Sequence, residues 1–135
     1  MRSAACSLAL VIAALSACSH KPLDTDMIER FHAHKAEFQA LANEALADIR
    51  HVREDRYRKS LADLGITEVS FVPLLPGTLA FRTNETAEKG SRLDFVYARS
   101  EPSPVVDSLD ANSVTPHGYA YRRIDDHWYL RLTRE

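Results

Sequence analysis

The sequence predicts an α+β fold in which one long N-terminal amphipathic helix packs on an antiparallel sheet of about five strands that ends in a hairpin. Apolar residues recur at helical spacing from Met27 to Val52, and after Gly65 the apolar period changes to two. The helical and strand-like stretches do not alternate along the chain. This order favours α+β over a parallel α/β sheet.

The predicted helix carries a single apolar stripe. Four residues of this stripe follow one another at intervals of seven: Phe31, Phe38, Ala45 and Val52. Charged side chains fall largely elsewhere around the helix, so the stripe is expected to be buried. Asp26 is placed to cap the helix, with Glu29 three residues later.

Residues 56–64 allow two interpretations. They form either a short second helix that ends at Gly65 or a continuation of the first helix. In the first case, Leu61 and Leu64 are expected to point inward.

Three strands are predicted after Gly65, each with one apolar face. The residues expected on these faces are Val69 and Phe71 in the first strand, Leu79, Phe81 and Thr83 in the second, and Leu93, Phe95 and Tyr97 in the third. Residues 99–117, called the link below, then contain three prolines and show no regular period. Links of this length are uncommon in compact domains and are often functional.

The chain closes with a predicted hairpin whose turn is Asp125-Asp126. This turn pairs Arg123 with Trp128, Tyr121 with Leu130 and Tyr119 with Leu132 on the core face. Tyr129 is then on the opposite face and half exposed. The aromatic side chains of the hairpin are expected to fill the core; if they instead form a platform that binds a ligand, Tyr129 is its most exposed member. Asp-Asp is a poorer turn than Asp-Gly, so a shifted register stays open. The simplest packing lays the long helix across one face of an antiparallel meander.

Residues 1–17 are typical of a secretory signal. Arg2 precedes an apolar or small stretch of about 14 residues, which is shorter than the roughly 20 that a membrane-spanning helix needs. The stretch ends in a tetrapeptide that resembles the lipobox of bacterial lipoproteins, Leu15-Ser16-Ala17-Cys18. An ordinary secretory signal with an unrelated cysteine is the alternative.

The lipobox resemblance implies a specific modification. In that family the cysteine, here Cys18, is alkylated with diacylglycerol, becomes the first residue of the mature protein and is usually acylated on its amino group. Two or three acyl chains make attachment effectively permanent, because one chain alone holds only marginally. By the family's sorting rule, Ser19 in the next position implies outer-membrane delivery. The expected organisation is a signal at 1–17, a lipidated tether at 18–24 and a single domain at 25–135.

Part of the C-terminal region shows a second resemblance. Residues 121–130 (YRRIDDHWYL), with residues 104–109 (PVVDSL) upstream, are similar to the end of small uncharacterised proteobacterial lipoproteins. The resemblance covers about the last 35 residues and implies a family of unknown function, without activity or catalytic residues. It also implies that Asp107 to Leu109 belong to the folded domain.

Charge and cysteine content exclude several classes of function. The chain has 17 basic and 19 acidic residues, and its net charge changes from −2 to −3 when Arg2 leaves with the signal. Nucleic-acid binding usually needs a strongly basic domain, so no such partner is expected. The only cysteines are Cys6 in the signal and Cys18 at the lipid site. The mature protein is therefore expected to have no disulfide, thiol nucleophile or thiolate metal site.

No catalytic residue, cofactor or metal is predicted. On a helix, His32 and His34 point about 200° apart and cannot bind one ion together. Two carboxylate pairs could serve as acid and base, Asp107 with Asp110 and Asp125 with Asp126. Hydrogen bonds between side chain and backbone in turns explain both pairs more simply.

The sequence therefore favours a non-enzymatic, lipid-anchored envelope protein that binds another envelope protein. The candidate binding surface is the link, with its acidic residues Glu101, Asp107 and Asp110. The alternative for the link is a loop that merely joins two strands. The alternatives for function are a periplasmic immunity protein or inhibitor of a cell-wall enzyme and, third, an enzyme that acts on peptidoglycan.

Overall fold

A computed structural model of the chain describes residues 23–86, 90–109 and 114–135. The helices are α1 (Leu23–Ala33), α2 (Lys35–Ala47) and α3 (Asp55–Asp63), with a 3₁₀ turn at His51–Arg53. The strands are β1 (Ile66–Phe71), β2 (Thr78–Thr83), β3 (Ser91–Ala98), β4 (Tyr119–Asp125) and β5 (Trp128–Arg134). The predicted α+β class is confirmed, because helices precede one five-stranded antiparallel sheet.

The sheet is not a simple meander. Its strand order is β1-β2-β3-β5-β4, and every neighbouring pair is antiparallel. The link carries the chain past the position of β5, so that β4 forms the edge and β5 returns between β3 and β4. The side chains explain this order. Trp128, Leu130 and Leu132 of β5 are completely buried, whereas β4 carries polar side chains that suit an edge strand.

An aromatic core lies between the helices and the sheet. Phe31 and Phe38 come from the helical layer, and their rings contact Trp128 at centroid distances of 5.1 and 5.8 Å. Phe95 packs against Phe38 at 4.7 Å, and Phe81 packs against Trp128 at 5.4 Å. All five side chains have no solvent exposure, so the predicted inward position of Trp128 is confirmed.

The stretch predicted as one long helix is interrupted at His34. The backbone of His34 has φ −126° and ψ 24°, outside the helical region, and α2 starts at the next residue. A straight helix over residues 23–47 would be about 37 Å long, which exceeds the width of a five-stranded sheet, about 24 Å. The interruption redirects the chain while keeping Phe31 and Phe38 over the sheet. α1 also begins at Leu23, so Asp26 lies inside its first turn rather than at its cap.

Residues 56–63 belong to a separate helix, α3, as one of the two interpretations predicted. α3 is followed by Leu64, which is 1% exposed, and then by Gly65 at φ +74°. That left-handed conformation is accessible to glycine at little cost. A Cβ at Gly65 would lie only 2.9 Å from Nη1 of Arg30. The glycine therefore both ends the helix and leaves room for the arginine.

The predicted register of the terminal hairpin is wrong by one residue. The turn is Asp126-His127, with His127 at φ 65°, and Asp125 is paired with Trp128. The register shifts between Arg123 and Asp125. Because side chains alternate along a strand, this shift moves the β4 side chains to the opposite faces from those predicted.

The new register places Tyr121 opposite Arg131 on the sheet face away from the helices. There it joins a second buried cluster with Val96, Ala98 and Tyr129. The expected half exposure of Tyr129 is also wrong, because this residue is 4% exposed. Tyr119 was predicted to lie in the core and is instead 51% exposed.

Candidate functional site

The first half of the link runs along the outer edge of β4. The N–H of Val106 donates to the carbonyl of Tyr121 at 2.7 Å, and the N–H of Tyr121 donates to the carbonyl of Pro104 at 2.9 Å. These bonds form a short parallel bridge between Val105 and Tyr121. The link therefore occupies hydrogen-bonding groups that an edge strand would otherwise present to solvent.

Buried side chains hold the link to the domain. Pro102 is buried, and Val106 and Leu109 pack against the main core. This part of the link therefore belongs to the folded domain and is not a free loop between two strands.

Asp24 ties the start of α1 to both the sheet and the link. Its side chain is 2% exposed, and Oδ2 accepts a hydrogen bond from Nη1 of Arg122 at 2.6 Å. The same oxygen accepts a weaker hydrogen bond from the N–H of Leu109 at 3.4 Å. Removing Arg122 would be costly, because the buried carboxylate of Asp24 would lose its counter-charge. The first turn of the domain is thus fixed beside residue 109 of the link.

The structure describes two of the three acidic residues predicted for partner binding. Glu101 is exposed. Burial raises the pKa of the Tyr129 phenol, and the negative charge of Glu101 adds to this shift. Asp107 is also exposed and lies two residues before Leu109. Neither carboxylate makes an ion pair with another residue of the described part of the chain. Asp110 lies outside the described residues.

An exposed apolar pair accompanies these carboxylates. Val105 is 39% exposed and Tyr119 is 51% exposed, although Val105 belongs to the bridge on β4 and Tyr119 starts that strand. The ring of Tyr119 packs edge-on against Tyr121 at 5.7 Å, and Tyr121 packs against Tyr129 at 6.3 Å. Tyr119 is therefore the exposed end of an aromatic ladder whose other two members are buried.

A buried polar network supports that ladder. Arg131 lies opposite Tyr121 in the hairpin, and it donates from Nη2 to the fully buried Asp94 at 3.2 Å. Nε of Arg92 donates to the same carboxylate at 3.1 Å. Burial raises the pKa of the Tyr121 phenol, and the positive charge of Arg131 partly opposes this shift. The network therefore lies in the same part of the sheet as the buried rings of the ladder.

We call the exposed side chains of Glu101, Val105, Asp107 and Tyr119 the link face. Sequence reasoning found its two acidic members but missed Val105 and Tyr119. Only the true hairpin register shows that Tyr119 points away from the core. Nothing in the local sequence distinguishes Val105 from the partly buried Val106.

A second candidate site is the cleft between α2 and α3, which encloses about 620 Å³. Carboxylates, small residues and one aromatic ring line it: Glu37, Ala40, Leu41, Asn43, Glu44, Tyr57, Ser60 and Asp63. Glu37 is paired with His34 at 2.9 Å and Glu44 with His51 at 3.2 Å. These pairs occupy two of the three carboxylates, which leaves Asp63 as the one without an ion pair inside the described residues.

His32 and His34, which were predicted not to bind one metal ion together, contact different residues. His34 contacts Glu37, whereas Nδ1 of His32 lies 4.0 Å from Oδ2 of Asp125. No group of three or more histidine, cysteine or acidic side chains in the described ranges is arranged to hold a metal ion.

Comparisons with protein-family models, curated proteins and solved structures gave no match. The lipoprotein resemblance therefore stays a prediction from residues 15–18 and from the C-terminal segment. No helix within the described residues is long and apolar enough to cross a membrane.

Proposed function

We propose that this chain is a lipid-anchored envelope protein that binds another protein through the link face. Attachment through Cys18 rests on the lipobox-like tetrapeptide, and binding rests on the surface that the link builds on β4. This function needs no catalytic residue, cofactor or metal.

The observation that carries the proposal is the combination of side chains on the link face. Val105 and Tyr119 give it an apolar centre, and Glu101 and Asp107 supply carboxylates without ion pairs in the described structure. Protein interfaces typically combine an apolar, aromatic centre with a polar rim. Tyrosine is enriched among the residues that dominate binding energy. The expected partner surface is therefore apolar at its centre and basic around it.

Rigidity of the link also supports binding. Its backbone is held by two hydrogen bonds to Tyr121, and Leu109 is held by Asp24. A surface that is ordered before binding loses less conformational entropy when the partner arrives. Acidic side chains on such a surface also speed capture of a basic partner at low salt.

Capture with a crosslinker tests the proposal. A photoreactive residue at Val105 should crosslink a partner in intact envelopes, and Glu101→Lys with Asp107→Lys should abolish the crosslink while leaving the melting temperature unchanged. Asp110→Lys, outside the described residues, is tested in the same way. Mass identification of the captured protein then separates a structural envelope protein from a cell-wall enzyme, the partner expected of an inhibitor.

Asp63→Lys is the matched control, because it reverses one exposed charge in the cleft between α2 and α3. Capture that survives the link variants but is lost in Asp63→Lys would contradict the proposed surface and assign binding to the cleft. Loss of folding in Asp107→Lys would show that this residue is structural.

A further inference from the structure

The turn between β1 and β2 is an exposed apolar protrusion. We call residues 71–77 the apolar tip; their sequence is FVPLLPG, without a charged residue. Leu74 is 98% exposed, Phe71 47% and Leu75 39%. A run of exposed apolar residues of this kind marks a contact surface rather than a solvated turn.

The backbone of the apolar tip is ordered. The N–H of Val72 donates to the carbonyl of Thr78 at 2.9 Å, and the N–H of Thr78 donates to the carbonyl of Leu75 at 3.2 Å. Leu74 has φ 65°, a left-handed conformation that costs a leucine more than a glycine or asparagine. Leucine is therefore unfavourable at this position for two reasons: the backbone is left-handed and the apolar side chain is exposed to water. Strain of this kind tends to occur at functional positions.

We propose that the apolar tip inserts into the surface of the bilayer to which Cys18 is attached. This inference rests on the proposed lipid anchor. Four residues lie between Cys18 and Leu23, the first described residue, so these two residues are at most about 17 Å apart. The anchor thus keeps the start of α1 within about 17 Å of the membrane, close enough for part of the domain surface to contact the lipid headgroups.

The sheet geometry allows the anchor and the apolar tip to reach one membrane plane. Asp24, next to the start of α1, is bonded to Arg122 of the edge strand β4. Measured across the sheet, the β1–β2 turn lies three to four strand spacings from β4, about 14–19 Å, and it is further displaced along the strand direction. The tether and the tip can therefore hold two separate points of the domain on the same surface.

Charge next to the apolar tip also suits a lipid surface. A Cβ at Gly77 would lie 3.1 Å from Cδ of Arg99, so the exposed Arg99 side chain runs alongside the turn. An arginine can pack its aliphatic stem against the apolar residues and keep its guanidinium at the height of the lipid phosphates. Anionic lipids attract such basic side chains.

A fluorescent probe in the tip tests the inference. In a Cys6→Ala background, Leu74→Cys is labelled with an environment-sensitive fluorophore, and the lipidated protein is reconstituted into vesicles of phosphatidylethanolamine and phosphatidylglycerol. Lipids that carry a nitroxide on the acyl chain should quench this probe severalfold. Asn84→Cys, exposed at the opposite end of β2, is the matched control and should be quenched little. Unchanged melting temperatures establish that both variants fold.

Equal quenching at the two positions, or none at Leu74→Cys, overturns membrane insertion of the apolar tip. Failure of the lipid anchor gives a different result, because the mass of the protein then shows no acyl chains on Cys18. In that event the same labelling in a Cys18→Ser background, with the same vesicles added, still decides whether the tip enters lipid.

Discussion

Trp128 connects the helical layer to the sheet. Its ring contacts Phe31 and Phe38 of the helices, and Nε1 donates to Oε1 of Gln39 on α2 at 3.0 Å. On the sheet side it contacts Tyr97 at 5.3 Å. One side chain therefore fills the space between the two layers and satisfies its only polar atom there.

Replacement of Trp128 by alanine should lower the free energy of unfolding by about 3–5 kcal/mol, the usual cost of deleting a large buried aromatic. That is a large part of the roughly 5–15 kcal/mol by which domains are stable. Tyr119→Ala should change the stability far less, because Tyr119 is half exposed. Denaturation in urea measures both variants. A Trp128→Ala protein as stable as the wild type would show that the ring does not join the layers.

The individual strands and helices show which structural features the sequence patterns could predict and which they could not. Alternation correctly placed Trp128, Leu130 and Leu132 on one face of β5, since a run of two-residue periods needs no long-range information. The position of Tyr121 depended on the turn, and one extra residue between Arg123 and Asp125 reversed it. The interruption at His34 was equally hidden, because the apolar stripe continues across it.

The ion pair between Lys35 and Asp125 joins the start of α2 to the end of β4. Nζ of Lys35 lies 2.8 Å from Oδ2 of Asp125. This bond, with the N–H of Asp126 as a second donor, lowers the pKa of the Asp125 carboxyl below its ordinary value of 3.8. A lowered carboxyl pKa stabilises the fold above the ordinary pKa and loses that effect as pH falls through the lowered value.

Lys35→Met should therefore destabilise the domain at neutral pH by less than about 1 kcal/mol, because the pair is partly exposed. The difference in melting temperature between Lys35→Met and the wild type should shrink toward zero once the pH falls below the lowered pKa of Asp125. Thermal melts across this pH range provide the measurement. Lys59→Met is the control, since Lys59 is exposed and has no ion pair within the described residues. A difference that stays constant down to the lowest pH would contradict the role assigned to the pair.

At the scale of the whole molecule, the sequence predicted the fold class but not the topology. The change of period at Gly65 was enough to indicate helices followed by a sheet. Strand order could not be predicted, because a link of this length can lead from β3 either to the adjacent strand or to the strand beyond it, as it does here. The link face depends on that order, so its apolar members could not be found before β4 was placed at the edge.

Lipid attachment is the prediction that determines where the whole molecule resides. Cys18→Ala should abolish incorporation of a radioactive fatty acid and leave the signal attached, because the thiol that accepts diacylglycerol is gone. Cys6→Ala should leave labelling intact, since Cys6 lies within the predicted signal. A wild-type protein that is exported without taking up label would refute the lipid anchor.

With the proposed lipid anchor at Cys18, the bond between Asp24 and the sheet would also determine how the domain bears tension. A pull on a lipid at Cys18 would enter the folded chain at Leu23, one residue before Asp24. Asp24 would divide that force between Arg122 in the edge strand and Leu109 in the link. β4 is paired with β5 along most of its length, so the load would spread over a ladder of hydrogen bonds rather than over one helix. Mechanical strain in the envelope would then be transmitted to the link, the segment that is proposed to bind the partner.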